Sequence, residues 1–306
     1  MTAGILFTLM ALLFVMPLPP GLSFGAESPD RVKIFVSVPP QAYFVERIGG
    51  ERVNVTVLLA PGANPATFSP SPQQMAELAR ADLFFRTGVP FENVLLPKIA
   101  SAMPGLRVVD TRQGIELRHL DEHDHHDGSP GDRDRHLPGE LDPHVWMSPT
   151  LVKEQARTIR DALTRIDPSG KDAYETGFNA FSKDLDRLHE RLTKLLAPLT
   201  GREFFVYHPA FGYFAETYGL KQVPVEFEGK EPSPRHIADL VRRAREQGVR
   251  VIFVQPQFSP KAAQAIARAI GGAVVPLDPL AKDYIANMEA IAHALLRSLL
   301  QNGSER

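Results

Sequence analysis

The chain has 306 residues, 43% of them hydrophobic, and a formal net charge of −2. That length and apolar share suit two domains with sizeable cores, and the near-neutral balance, without any basic run, argues against a nucleic-acid partner. There is no cysteine, which excludes disulfides, thiolate metal sites and a cysteine nucleophile and leaves any metal to nitrogen and oxygen donors.

Ile5–Met16 is an apolar run, shorter than the roughly 20 residues that span a bilayer, and Ser23-Phe24-Gly25-Ala26 then offers the small residues a signal peptidase accepts. A signal peptide over residues 1–26 is expected, releasing a soluble periplasmic chain with no cysteine for a lipid anchor. No Lys or Arg precedes the run, so an uncleaved N-terminal anchor is the alternative.

Val32–Val38 is β-branched and apolar and reads as a buried strand ended by Pro39-Pro40, with a helix over Gln41–Ile48 that stops at Gly49-Gly50. Val53–Leu59 is a second strand. Ser71-Pro72 opens a helix through Ala79, the serine as cap and the proline at the first helical position. Strands at Leu83–Arg86 and Leu106–Val109 flank a helix over Phe91–Ala100. Residues 118–140 break the rhythm: they are crowded with His and Asp, almost without apolar side chains, and read as a mobile loop. Its histidines, His119, His123, His125, His126 and His136, suit a weak metal-collecting tether; a solvated insertion without a role is the plainer reading. Ser148-Pro149 opens a helix through Ile166. A long helix then runs from Lys171 to about Leu196, with Tyr174, Phe178, Phe181, Leu185, Leu188, Leu192 and Leu195 at helical spacing. At 1.5 Å per residue it is close to 40 Å long, enough for a strut between domains. Strands at Glu203–Tyr207, Lys221–Phe227, Val249–Gln255 and Ala273–Leu277 then alternate with helices at Ala210–Tyr218, Pro234–Gln247, Pro260–Ile270 and Tyr284–Leu300.

Alternating strands and helices predict an α/β fold with two lobes, each a parallel sheet of about four strands flanked by helices. The expected division is 27–166 for the first lobe, 167–198 for the connecting helix and 199–306 for the second lobe.

Three donors stand beside prolines at element boundaries: His144 in Asp142-Pro143-His144, His208 in Tyr207-His208-Pro209, and Asp278 in Leu277-Asp278-Pro279. Ligands of open parallel sheets bind beyond the carboxyl ends of the strands. His208 and Asp278 follow strands of the second lobe, and His144 leads into a helix of the first. Two imidazoles and a carboxylate suit a first-row divalent ion, zinc above all. One histidine beside a proline is more often a satisfied surface or core residue; three such donors favour the metal.

These stretches carry a family resemblance. SVPPQAYFVERIGG, VNVTVLLAPGANPATFSPSP, LDPHVWMSP, YHPAFGYFAETYGL, EGKEPSP, VQPQFSPKAA and VVPLDPLAKDYIANM are similar to segments of the zinc- and manganese-specific solute receptors of ABC importers. The resemblance implies two α/β lobes joined by one rigid helix, metal bound in the cleft, and delivery to a membrane permease by a monomeric receptor. It puts His144, His208 and Asp278 on ligand positions, and residues 118–140 on the acidic, His-rich loop of zinc-specific members. The family motif Gly-x-x-Pro-His, however, reads Gly62-Ala63-Asn64-Pro65-Ala66 here. The first-lobe histidine is missing, leaving a coordination position for water or a loop histidine. Zinc (Zn2+) is the expected cargo and manganese (Mn2+) the alternative. Two other functions fit the same residues. Three ligands and an open position would suit a zinc hydrolase, but there is no His-Glu-x-x-His helix, and Glu226 and Glu228 lack the spacing of a general base. A degenerate receptor that has lost tight metal binding is the other.

Overall fold

The computed structural model describes residues 31–120, 141–226 and 232–301. The expected signal peptide and His123, His125, His126, His136 and Glu228 lie outside the described residues.

The first sheet is built from β1 (Val32–Val36), β2 (Val53–Val57), β3 (Leu83–Arg86) and β4 (Arg107–Asp110). All its pairings are parallel, in the order β2-β1-β3-β4. The second sheet comprises β5 (Glu203–Val206), β6 (Lys221–Pro224), β7 (Val251–Val254) and β8 (Ala273–Pro276), also parallel, in the equivalent order β6-β5-β7-β8. The two halves thus share one topology without a sequence repeat. The strand order reverses between β1 and β3 in one and between β5 and β7 in the other. These switch points are where such sheets open a crevice.

The helices are α1 (Pro39–Gly49), α2 (Pro72–Leu78), α3 (Phe91–Ala102), α4 (Pro149–Ile166), α5 (Lys171–Leu196), α6 (Gly212–Tyr218), α7 (Pro234–Glu246), α8 (Lys261–Ala269) and α9 (Tyr284–Gln301). Helix α1 starts two residues before the expected Gln41, because Pro39-Pro40 opens it rather than merely ending the strand; a helix's first turn needs no N–H from proline. Ser71 caps α2 as read, its hydroxyl accepting from the Gln74 N–H at 3.2 Å. Strand β6 ends at Pro224, before the expected Phe227, although Val225 and Glu226 still donate to the Val206 and Tyr207 carbonyls at 2.8 and 3.0 Å.

The long α5 lies between the two sheets in the chain and buries Tyr174, Phe181, Leu185, Leu188, Leu192 and Leu196. Leu196, not Leu195, takes the last buried position, and the half-buried Phe178 ring lies beneath the Arg160 guanidinium at 4.6 Å. Gly177 lets α1 approach: a Cβ there would sit 2.4 Å from the Ile48 carbonyl oxygen. One apolar core runs from β1 and β3 through α1, α4 and α5 into Phe204, Phe211, Phe253 and Tyr284 of the second half. Phe44 joins the two, with ring centroids 5.7 Å from Phe181 and 5.0 Å from Tyr284. A separate cluster, including Phe205, Leu240, Ile252 and Ile266, packs the other face of the second sheet. Among the described residues no helix is long and apolar enough to cross a membrane.

Candidate metal centre

His208 directly follows Tyr207 at the end of β5, on the switch point of the second sheet. Its backbone is gripped by Gln255, at the end of β7: the His208 N–H donates to Oε1 at 3.1 Å, and Nε2 donates to the His208 carbonyl at 2.6 Å. Its ring stacks on Phe258 at 4.9 Å. The buried Glu226 carboxylate lies 2.5 Å from Nδ1.

His144 precedes a short 3₁₀ turn, Val145–Met147, that leads through Ser148 into α4. Asp142 folds back onto it, with Oδ1 accepting from the His144 N–H at 2.9 Å and lying 2.7 Å from Nδ1. Burial alone would raise the Asp142 pKa, but the charge and hydrogen bonds of His144, with Arg118, hold its carboxyl below the usual range. Ionised, it only accepts, so Nδ1 of His144 must be the donor. Burial pushes the His144 imidazole below its ordinary value against the pull of Asp142. Burial thus favours the neutral ring, and with Nδ1 donating to Asp142 the neutral tautomer leaves the lone pair on Nε2.

The two imidazoles meet, with centroids 5.2 Å apart and planes at 73°. Each is held through Nδ1 by a carboxylate, the arrangement that orients histidines whose Nε2 binds a metal. Asp278 follows β8 by two residues. Its Oδ1 accepts from Gln257 Nε2 and from the Leu280 N–H, both at 2.9 Å. Trp146 bridges the two segments: its ring lies 5.2 Å from that of His144, and its Nε1 donates to the carbonyl of Pro279, the neighbour of Asp278, at 2.8 Å. Among the described residues, no three His, Asp or Glu side chains stand close enough to hold an ion as they are. His144 and His208 are brought together; Asp278 stands at the same edge without completing the set.

The other sequence candidates are placed differently. Ala66 is exposed, in a turn where Asn64 Oδ1 accepts its N–H at 2.8 Å. His119 is exposed and pairs across a single antiparallel bridge with Leu141, at the base of residues 120–140. Glu226, weighed above only as a general base, is engaged with His208. The supporting residues Asp142, Glu226, Gln255, Gln257 and Phe258 were not legible as such. Only Asp142, two residues before a histidine across a proline, carried a local signal, that of a side chain turning back onto the backbone two residues on.

The comparisons bear on the whole chain. A family model described as "ZnuA: Zinc-uptake complex component A periplasmic" matches residues 34–298. The chain is 30% identical over 257 residues to the high-affinity zinc uptake system protein ZnuA of Bacillus subtilis (strain 168), covering 82% of this chain and 79% of that protein. Among solved structures, a crystal structure of ZnuA is 39% identical with a TM-score of 0.80, covering 88% of this chain and 99% of that one. A ZnuA deletion mutant with zinc bound is 40% identical with a TM-score of 0.80, covering 88% and 98%.

Proposed function

The chain belongs to the periplasmic zinc-uptake component A (ZnuA) family, and from that premise we propose that it captures a divalent metal, zinc first, and hands it to the membrane permease of an ABC importer. Members of this family are solute-binding proteins, not enzymes, and the hydrolase alternative is set aside. The observation that carries the reading is the pair His144 and His208, each imidazole held by a carboxylate at Nδ1. Both Nε2 atoms are thereby left to a shared ligand.

His144, His208 and Asp278 are the proposed ligands. The two sheets with their helices serve as lobes, taken as residues 27–166 and 199–306 about the connecting segment 167–198. Two imidazole nitrogens and one carboxylate favour zinc, and manganese would gain from more oxygen donors. The zinc-bound state of a relative 40% identical supports the same choice. A periplasmic location without a lipid anchor and a monomeric state are parts of the proposal.

Trp146 is the only tryptophan and sits against His144. Zinc added to the metal-free protein should change its emission and saturate at about one tight equivalent, with manganese weaker, since zinc stands above manganese for such donors. Absence of zinc binding by calorimetry would overturn the function. Binding with unchanged emission would move the site away from His144.

The fourth coordination position goes to water or to a histidine of residues 118–140. Ala66 carries no donor atom and is exposed. If its side chain faces the cleft, Ala66→His adds an imidazole where zinc prefers four ligands. Zinc affinity should then rise by about tenfold, roughly 1.4 kcal/mol. Unchanged affinity, both in the full chain and with His119, His123, His125, His126 and His136 all changed to alanine, would show that position 66 faces elsewhere.

A further inference from the structure

Arg118 opens the segment read as the His-rich loop but carries no metal-binding chemistry of its own. Its Nη1 donates to Asp142 Oδ2 at 3.1 Å, while Asp142 Oδ1 holds His144. The fully buried carboxylate is thus gripped on both oxygens, one by an imidazole and one by a guanidinium.

The guanidinium is itself fixed by α6, the helix that begins four residues after His208. It lies over the Tyr213 ring at 5.7 Å, and its Nε is 3.6 Å from Glu216. The Arg118 N–H donates to the Tyr213 hydroxyl at 3.1 Å, and that hydroxyl donates to the Asp142 carbonyl at 3.2 Å. Gly212 makes the room: a Cβ there would fall 1.5 Å from Nη1 and 2.9 Å from Asp142 Oδ2. Any larger residue would push the arginine off its carboxylate. Arg118 therefore ties the carboxylate that orients His144 to the helix behind His208.

We propose that Arg118 is a positioning residue for metal capture, setting the orientation of His144 through Asp142 and its register against His208 through α6. The proposal rests on the reading of His144 as a metal ligand. A carboxylate held on one oxygen can rotate about its side-chain bonds, taking the imidazole with it; held on both, it cannot. A planar fork of donors suits this better than a point charge, so arginine and not lysine belongs here.

The test is zinc affinity by competition with a chromophoric chelator, in wild type and in a His144→Ala background. Arg118→Ala should weaken zinc by roughly tenfold, the lower end for residues that orient ligands. In the His144→Ala background the same change should have an effect of less than about twofold, because nothing is left to position. Gly212→Ala, which puts a methyl where Nη1 lies, should reproduce the loss with the charge still present. A metal-free readout accompanies these: the Nδ1 proton of His144, hydrogen-bonded to Asp142, should give a slowly exchanging proton resonance in wild type. It should be lost in Arg118→Ala and kept in Leu240→Ala, a core truncation on the far face of the second sheet. Equal losses of affinity in both backgrounds, or a resonance that survives Arg118→Ala, would reduce Arg118 to an ordinary structural ion pair. If wild type binds no zinc, the proposed function fails, and the resonance still decides whether Arg118 positions His144.

Discussion

Replacing His208 with alanine should weaken zinc binding by roughly a hundredfold or more, about 3 kcal/mol, and leave the chain folded. The expectation follows from how the ring is held. Gln255 grips the backbone on both sides, Phe258 stacks on the imidazole and Glu226 takes Nδ1. With so much of the surroundings shaping one ring, little reorganisation remains when metal arrives, and losing its nitrogen loses a pre-set donor. Residues that only orient a metal-bound histidine are typically worth 10–100-fold, so a ligand should exceed that range's lower end comfortably. The substitution also strands the buried Glu226 carboxylate, costing about 1–3 kcal/mol of stability, which a thermal melt would register as a lower but still cooperative transition. Asp278→Ala should weaken zinc in the same direction. Isothermal titration of both variants against wild type is the check. Unchanged zinc affinity and stoichiometry in His208→Ala would remove it from the site and leave the proposed function without its main support.

Glu92→Ala should destabilise the chain by about 3–4 kcal/mol. Glu92 stands in the first turn of α3, fully buried, at the switch point between β1 and β3. Its carboxylate accepts from Ser37 Oγ at 2.6 Å, from the Thr87 and Gly88 N–H groups at 2.9 and 2.8 Å, and from Arg86 Nε at 3.1 Å. Removing it takes the acceptor from two backbone N–H groups, the Ser37 hydroxyl and Arg86 Nε, although the Arg86 guanidinium keeps Asp110 at 3.4 Å. The first sheet thus fills with its own carboxylate the crevice that the second sheet leaves to His208. For a chain of this size each kcal/mol lowers the melting temperature by roughly 2–4 °C, so a drop of about 6–16 °C is expected. Zinc affinity should stay within about threefold of wild type, because Glu92 contacts neither imidazole. A melting temperature within about 2 °C of wild type would show that water replaces the carboxylate at little cost.

Much of the fold is written in local chemistry. The runs VKIFV, EFFV and VIFV read as buried strands from their β-branched and aromatic residues, and Ser71-Pro72 and Ser148-Pro149 announce the helices they begin. The periodicity from Tyr174 onward predicts the length of α5, though Leu196 and not Leu195 takes its last buried position. His144, His208 and Asp278 were legible as candidate donors because a polar residue beside proline at an element boundary is a local pattern. The boundary errors were local too: α1 begins at Pro39, where a proline can end a strand or open a helix, and α6 and β7 each begin two residues later than expected, at Gly212 and Val251.

What the sequence by itself determined is therefore the inventory: eight strands, nine helices among the described residues, and the side chains with metal-binding chemistry. Tertiary structure alone decided how they combine. The shared strand order of the two sheets depends on which edges pair after each crossover. The imidazole of His208 meets Glu226 eighteen residues away, and its backbone meets Gln255 forty-seven residues away. Arg118 reaches Asp142 across twenty-four residues and Tyr213 across ninety-five. Turns and periodicities report contacts within a few residues. The hydrogen bonds that orient the two imidazoles of the proposed site join residues that only packing brings together, so no spacing in the chain encodes them.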